Sequence, residues 1–239
     1  MAAKNLSLLV IALTVFLMPS PGQAETQAIA RESIIPLGFS HFDVKKGVPF
    51  GWELDRKSGK PVLQPEKDET GLCLTMISDD QSSFGINRPV KVNIKEYPFL
   101  NWKWKAAKLP LGADIRRAEK DDQAAQVYVA FAATGLPARW NTPVLGYIWD
   151  NEVPKDWTGR SPQFGAGKFR YIVIRNKTDK LGEWYTEKRN LYRDYQKMFK
   201  DTQGGEPAGP IQGISLYINS QHTRSSAESC IGNIYLSRQ

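Results

Sequence analysis

Asp121 and Asp122 sit side by side just ahead of an alternating apolar run, and paired carboxylates are what glycoside cleavage uses. Adjacent residues on a strand point to opposite faces, so these two cannot be acid and nucleophile of one retaining site. A hydrolase or lyase reading therefore pairs Asp122 with Glu187, with Asp150 as the other candidate partner. The competing reading is that Asp121 and Asp122 solvate the approach to a strand. Ser220 and His222 have the spacing of a nucleophile and base on one strand face. Asn219-Ser220-Gln221-His222-Thr223 is equally the composition of a turn whose side chains cap their own backbone.

Metal and cofactor chemistry find less to stand on. With only His41 and His222, a multi-histidine metal site is excluded, and no His-Glu-x-x-His, Cys-x-x-Cys or EF-hand loop occurs. Gly165-Ala166-Gly167-Lys168 lacks a phosphate loop's first glycine, replaced by Pro162, and its Ser or Thr, replaced by Phe169. No Gly-x-Ser-x-Gly elbow is present. The expectation is no cofactor, no metal and no assigned catalytic residue.

Strand parity offers a binding face instead. If Val127, Val129 and Phe131 face a core, Gln126 and Tyr128 face out; Lys103 and Lys105 likewise oppose Trp102 and Trp104. Tyr217 and Asn219 oppose Leu216 and Ile218, Arg175 ends another strand, and His222 follows in the adjoining loop. Trp149, followed by Asp150 and Asn151, is the candidate exposed platform. Together these residues would offer aromatic faces for sugar stacking and long donors for hydroxyls or carboxylates. The other reading of the same pattern is simply the solvated side of a sheet.

The elements that must position them are strands. Val90, Val92 and Ile94, then Trp102 and Trp104, then Tyr171 to Ile174, Ile214 to Ile218 and Ile231 to Leu236 continue a period of two, separated by turn formers such as Leu109-Pro110-Leu111-Gly112. This predicts an all-β antiparallel sandwich. One short amphipathic helix interrupts it near 191–200, where Leu191, Tyr195, Met198 and Phe199 share a face and Asn190 can cap the start. Ile115 to Gln126, charged throughout, reads as a loop with at most a turn or two.

The chain has 239 residues, 41% hydrophobic and 24% charged, with a formal charge of +7. That is enough for one globular domain without a metal or disulfide framework, and it is not a disordered or multi-span membrane composition. Lys4, the apolar run Leu6 to Met18 and the stretch Pro19 to Ala24 have the form of a signal peptide over residues 1–24. Cleavage would leave a polar lead-in over 25–36, one sandwich domain over 37–239, a charge of +6 and no transmembrane anchor. The expected location is periplasmic or secreted. Bases and acids interleave, as in Arg116-Arg117-Ala118-Glu119-Lys120-Asp121-Asp122, which argues against nucleic acid and for an anionic or polar envelope partner. The oligomeric state is left open. Export would also allow Cys73 and Cys230, both in strand-like segments, to form one bridge worth about 5 kcal/mol at most. The alternative is two separate buried thiols.

Phe50-Gly51-Trp52, Trp102-Lys103-Trp104-Lys105, Asp121 to Phe131, Tyr147-Ile148-Trp149, Ile172-Val173-Ile174-Arg175, Glu187-Lys188-Arg189-Asn190 and Gly213-Ile214-Ser215-Leu216 occur in an order that resembles an exported bacterial family of unknown function, number 3047. The likeness spans roughly residues 37–236. It implies a jelly-roll sandwich similar in outline to galactose-binding-like and carbohydrate-binding modules, and it transfers no catalytic residue. Asn219 and His222 stand where many members carry aspartates, against a shared acidic metal site there. Three functions follow as expectations: a non-catalytic binder of a glycan or other polar envelope component, a carbohydrate-active hydrolase or lyase using Asp122 with Glu187, and an assembly protein docking through the helix.

Overall fold

A computed structural model describes residues 34–239 apart from 69, 70 and 164; the expected signal peptide and most of the lead-in lie outside the described residues. The strands in chain order are β1 (Ile34–Pro36), β2 (Phe42–Asp43), β3 (Val48–Pro49), β4 (Glu53–Ser58), β5 (Val62–Asp68), β6 (Gly71–Ser78), β7 (Ser83–Val92), β8 (Phe99–Lys108), β9 (Ala125–Ala130), β10 (Val144–Trp149), β11 (Thr158–Arg160), β12 (Phe169–Arg175), β13 (Tyr185–Asn190), β14 (Ile211–Asn219) and β15 (Ala227–Ser237). The first sheet runs β13-β8-β15-β6-β5, with β1 also paired to β15; the second runs β11-β12-β10-β9-β14-β7-β4. The last three residues of the expected lead-in are therefore part of the sheet, Ile35 opposite Leu236.

These sheets stack as a jelly-roll β-sandwich. Alternation sets which side chains meet: Trp102 and Trp104 of β8, Tyr147 and Trp149 of β10, Val127 and Val129 of β9, and Leu216 and Ile218 of β14 all lie in one buried cluster. Trp102 and Trp104 pack edge to face with centroids 5.4 Å apart, and Trp149 meets Trp104 at 5.7 Å. Each fully buried large side chain of this kind contributes about 1.5–3 kcal/mol. One pairing departs from the antiparallel expectation. β12 runs parallel to β10, because the chain first forms β11 as an edge strand antiparallel to β12.

Helix α1 (Leu191–Met198) forms where its period predicts, with Asn190 Oδ1 accepting from the Arg193 N–H at 3.0 Å. Leu191, Tyr195 and the following Phe199 are all buried against the core, and Asp194 accepts from Tyr147 Oη at 2.8 Å and Arg189 Nε at 2.9 Å. The helix therefore turns its apolar face inward, which removes the surface that the assembly reading assigned to it. Among the described residues no helix is long and apolar enough to cross a membrane.

A second, smaller apolar cluster covers part of the outer face of the second sheet. Ile115 and Val153, from two loops, pack on Ile148, Tyr171 and Val173. Of the segment expected as a loop, residues 115–124 form one, with a single 3₁₀ turn at Ala118–Lys120, while Ala125 and Gln126 already belong to β9. It forms a wall beside the open remainder of that face.

Candidate functional site

The open part of that face is a cleft of about 490 Å³. Its floor is a row of aromatic rings. Tyr217 of β14, Tyr128 of β9 and Tyr171 of β12 follow one another across the strands, with centroids 5.5 Å apart for Tyr128 and Tyr217 and 6.1 Å for Tyr128 and Tyr171; Phe169 meets Tyr128 edge-on at 6.1 Å.

Two strand-interior glycines make this row possible. Gly146 lies opposite both Tyr128 and Tyr171 in its two ladders, and a methyl group there would stand 2.6 Å from one ring and 2.7 Å from the other. Gly85 lies opposite Tyr217, where a methyl group would stand 2.5 Å from the ring. The rings lie over backbone where a side chain would otherwise rise, and this keeps the floor low.

Around the rings runs a hydrogen-bonded chain of polar groups. Tyr128 Oη donates to Gln126 Oε1, Gln126 Nε2 donates to Asn219 Oδ1, and Asn219 Nδ2 donates to the Asp121 carbonyl at 2.7 Å. Asn219 Oδ1 also accepts from the Gln123 N–H at 2.9 Å, tying the wall loop to β14. The Asp121 carboxylate accepts from Gln123 Nε2 at 3.2 Å and Gln163 Nε2 at 2.9 Å, and burial raises its pKa above the ordinary value. His222 Nδ1 reaches the Asp121 carbonyl at 3.0 Å. At the far end Tyr217 Oη donates to Asp55 Oδ2, which also takes Lys57 Nζ at 2.9 Å. Burial pushes all three phenols upward, so Tyr128, Tyr171 and Tyr217 stay protonated donors. Gln221 Oε1, at the cleft's edge, is buried with no partner among the described residues.

Of the residues expected to bind, Gln126, Tyr128, Tyr217, Asn219 and His222 come together here. The others do not. Lys103 and Lys105 point from β8 out of the opposite sheet, their ammonium groups 4.2 and 5.0 Å from the Trp184 ring centroid. Trp149 is not an exposed platform; strand parity carries it into the core, beside Trp104 and Tyr185. Asp150 is wholly buried and accepts from the N–H groups of Ile115 at 3.0 Å and Val153 at 2.9 Å, pinning the two loops of the wall. Burial pushes its carboxyl up to about 6. Arg175 is clamped by Glu187 at 2.7 Å and Asp179 at 3.0 Å and lies over the Tyr185 ring.

The carboxylates proposed for catalysis are spent on structure. Asp122, fully buried, accepts from the Thr223 N–H at 2.6 Å and Thr223 Oγ1 at 2.7 Å. Glu187 accepts from Trp104 Nε1 at 3.1 Å as well as from Arg175. Neither lines the cleft. Ser220 is buried against Ser78 Oγ at 2.7 Å and donates to the Asp79 carbonyl, not to His222. Reading from sequence missed Asp55, Phe169, Tyr171 and Gln163 as cleft residues. The signal for the tyrosines was there in Gly85 and Gly146, glycines inside otherwise regular strands.

A family described as protein of unknown function, DUF3047, matches residues 51–235. No curated protein matches the chain. Among solved structures the chain is similar to the family 11 carbohydrate-binding module of the cellulosomal cellulase Lic26A-Cel5E of Clostridium thermocellum, with 12% identity, a TM-score of 0.46, and coverage of 85% of this chain and 94% of that one. The family 11 module from the same organism in complex with a beta-1,3-1,4-mixed-linked tetrasaccharide gives 13% identity and a TM-score of 0.45, covering 86% and 95%. The xyloglucanase domain of NopAA from Sinorhizobium fredii, in complex with cellobiose, gives 8% identity and a TM-score of 0.41, covering 78% and 93%.

Proposed function

The chain belongs to the DUF3047 family, and from the chemistry of its cleft we propose that it is an exported protein that binds an uncharged glycan of the cell envelope or its surroundings without transforming it. The observation that carries this reading is the row of tyrosines laid over Gly85 and Gly146. Sugar rings present apolar C–H faces to such a platform and hydroxyls to its edges, and the edges here carry amides, phenols and carboxylates able to donate or accept. The cleft volume lies in the ordinary range for small-ligand sites.

Charge decides between neutral and anionic ligands. Asp55 and Asp121 both line the cleft, and Lys57 is already paired with Asp55. The cations expected to attract an anion, Lys103, Lys105 and Arg175, stand elsewhere. The engagement of Asp122 and Glu187 in structural hydrogen bonds supports binding without cleavage.

Isothermal titration calorimetry against neutral oligosaccharides and matched uronate-containing ones tests this. Binding to a neutral series, with the sugars recovered intact, is expected; preference for uronates, or cleaved products, overturns it. Export is tested separately by N-terminal sequencing, with a mature start at Glu25 expected and an intact Met1 opposing it.

A further inference from the structure

On the outer face of the first sheet, far in sequence from one another, three metal-ligating side chains converge. The carboxylate of Glu66 and the sulfurs of Cys73 and Cys230 lie within 4.8 Å of one another. They come from three adjacent strands, β5, β6 and β15, so the sheet itself fixes their spacing. We infer that Glu66, Cys73 and Cys230 form a binding site for one thiophilic divalent cation of the zinc class.

These are the same two cysteines that the sequence offers for a bridge, and the register makes them a diagonal pair: Cys73 lies opposite Gly232 and Cys230 opposite Thr75. A disulfide demands a sulfur–sulfur bond of about 2.05 Å and a narrow range of dihedral angle. A metal ion relaxes that demand. Two sulfurs at about 2.3 Å from a tetrahedral ion stand roughly 3.8 Å apart, with no bond between them.

The surroundings suit the ion. Gly232 leaves Cys73 room, since a methyl group there would stand 2.9 Å from the Cys73 Cβ. Thr75 Oγ1 donates to Glu66 Oε1 at 2.5 Å, aiming the carboxylate, and Lys105 Nζ lies 3.8 Å from Glu66 Oε2. On binding, each thiol releases its proton to solvent. Two thiolates and one carboxylate on a divalent ion then carry one net negative charge, which Lys105 balances. Two sulfurs and one oxygen are the donor set of a soft or borderline ion, not of calcium or magnesium. Glu66 lies at the exposed side of the cluster, which leaves a fourth position open to water. The three ligands come from separate strands and share no short motif, so sequence alone does not point to them.

The test is titration of the purified, reduced protein with Zn²⁺ against a chromophoric chelator, with Cd²⁺ as the spectroscopic probe. One ion per chain, a thiolate-to-cadmium charge-transfer band and two thiols shielded from a thiol reagent are expected. Cys230→Ser should abolish the band. Glu66→Gln, at an exposed position that folding tolerates, should weaken binding about tenfold or more. Absence of the band, unchanged affinity in Glu66→Gln, or a Cys73–Cys230 bond in the mass of the unreduced exported protein would each overturn the site.

Discussion

Gly85 stands directly opposite Tyr217 in the β7–β14 ladder, and the tyrosine ring covers it so closely that a methyl group at position 85 would meet the ring at 2.5 Å and the Leu216 carbonyl at 2.3 Å. The glycine carries no special backbone angle; its value is the missing side chain. Gly85→Val should therefore cost about 1–3 kcal/mol of stability through overpacking and lift Tyr217 off the cleft floor. Urea unfolding reads the first effect and calorimetric glycan titration the second. A variant of unchanged stability would show that the ring has somewhere else to go.

Tyr128 lies at the centre of the row and starts the polar chain through Gln126 and Asn219 to Asp121. Its two parts separate by substitution. Tyr128→Ala removes the stacking face and should weaken glycan binding by about tenfold or more. Tyr128→Phe keeps the face but leaves Gln126 Oε1 without its donor, so it should retain most of the affinity while losing about 1 kcal/mol of stability. Equal loss of binding in both variants would place the contribution in the hydroxyl.

Parity made half of this cleft legible from sequence, because a strand's alternation is a local property. Gln126, Tyr128, Tyr217 and Asn219 face outward for the same reason that Val127, Val129, Leu216 and Ile218 face inward. Parity says nothing, however, about which of two sheets a strand joins. Lys103 and Lys105 do face outward, but from β8 in the opposite sheet, out of reach of the cleft residues that share their parity. Trp149 suggests an exposed platform because Asp150 and Asn151 follow it, but it is the last residue of β10 and faces the core, and its neighbour Asp150 turns back to hold the loops. Asp55 and Gln163 enter the cleft only through tertiary placement of β4 and the loop after β11, which no local pattern encodes.

Arg175 illustrates the cost of that ambiguity and gives a contrasting variant. It bridges Glu187 and Asp179, both nearly buried, and it lies outside the tyrosine cleft. Arg175→Ala leaves Glu187 without its cation and Asp179 with Lys155 alone, and because the guanidinium is itself partly exposed the expected loss is about 1–3 kcal/mol of stability. Glycan affinity of the folded protein should stay at the wild-type value, since no ligand contact is removed. Reduced affinity at full folding, measured by calorimetry beside circular dichroism, would mean that this clamp shapes the cleft after all.

Asp150 yields a pH dependence whose sign follows from its burial. The carboxyl is held near 6 against an ordinary value of 3.8, with desolvation outweighing the N–H donors of Val153 and Ile115. A folded value above the unfolded one means that the folded chain holds this proton more tightly. The stability Asp150 confers is therefore greatest below about pH 4, declines as pH rises toward 6 and is flat above it, a swing of at most about 3 kcal/mol. Asp150→Asn removes the titration, so the stability gap between wild type and variant should narrow from pH 4 to pH 7 by up to that amount. Urea unfolding at several pH values across the interval measures it, and parallel curves would show that the buried carboxylate is already ionised at pH 4. Because the same side chain pins Ile115 and Val153, any widening of the wall in the variant should also appear as weaker glycan binding at every pH, a constant offset that the titration cannot mimic.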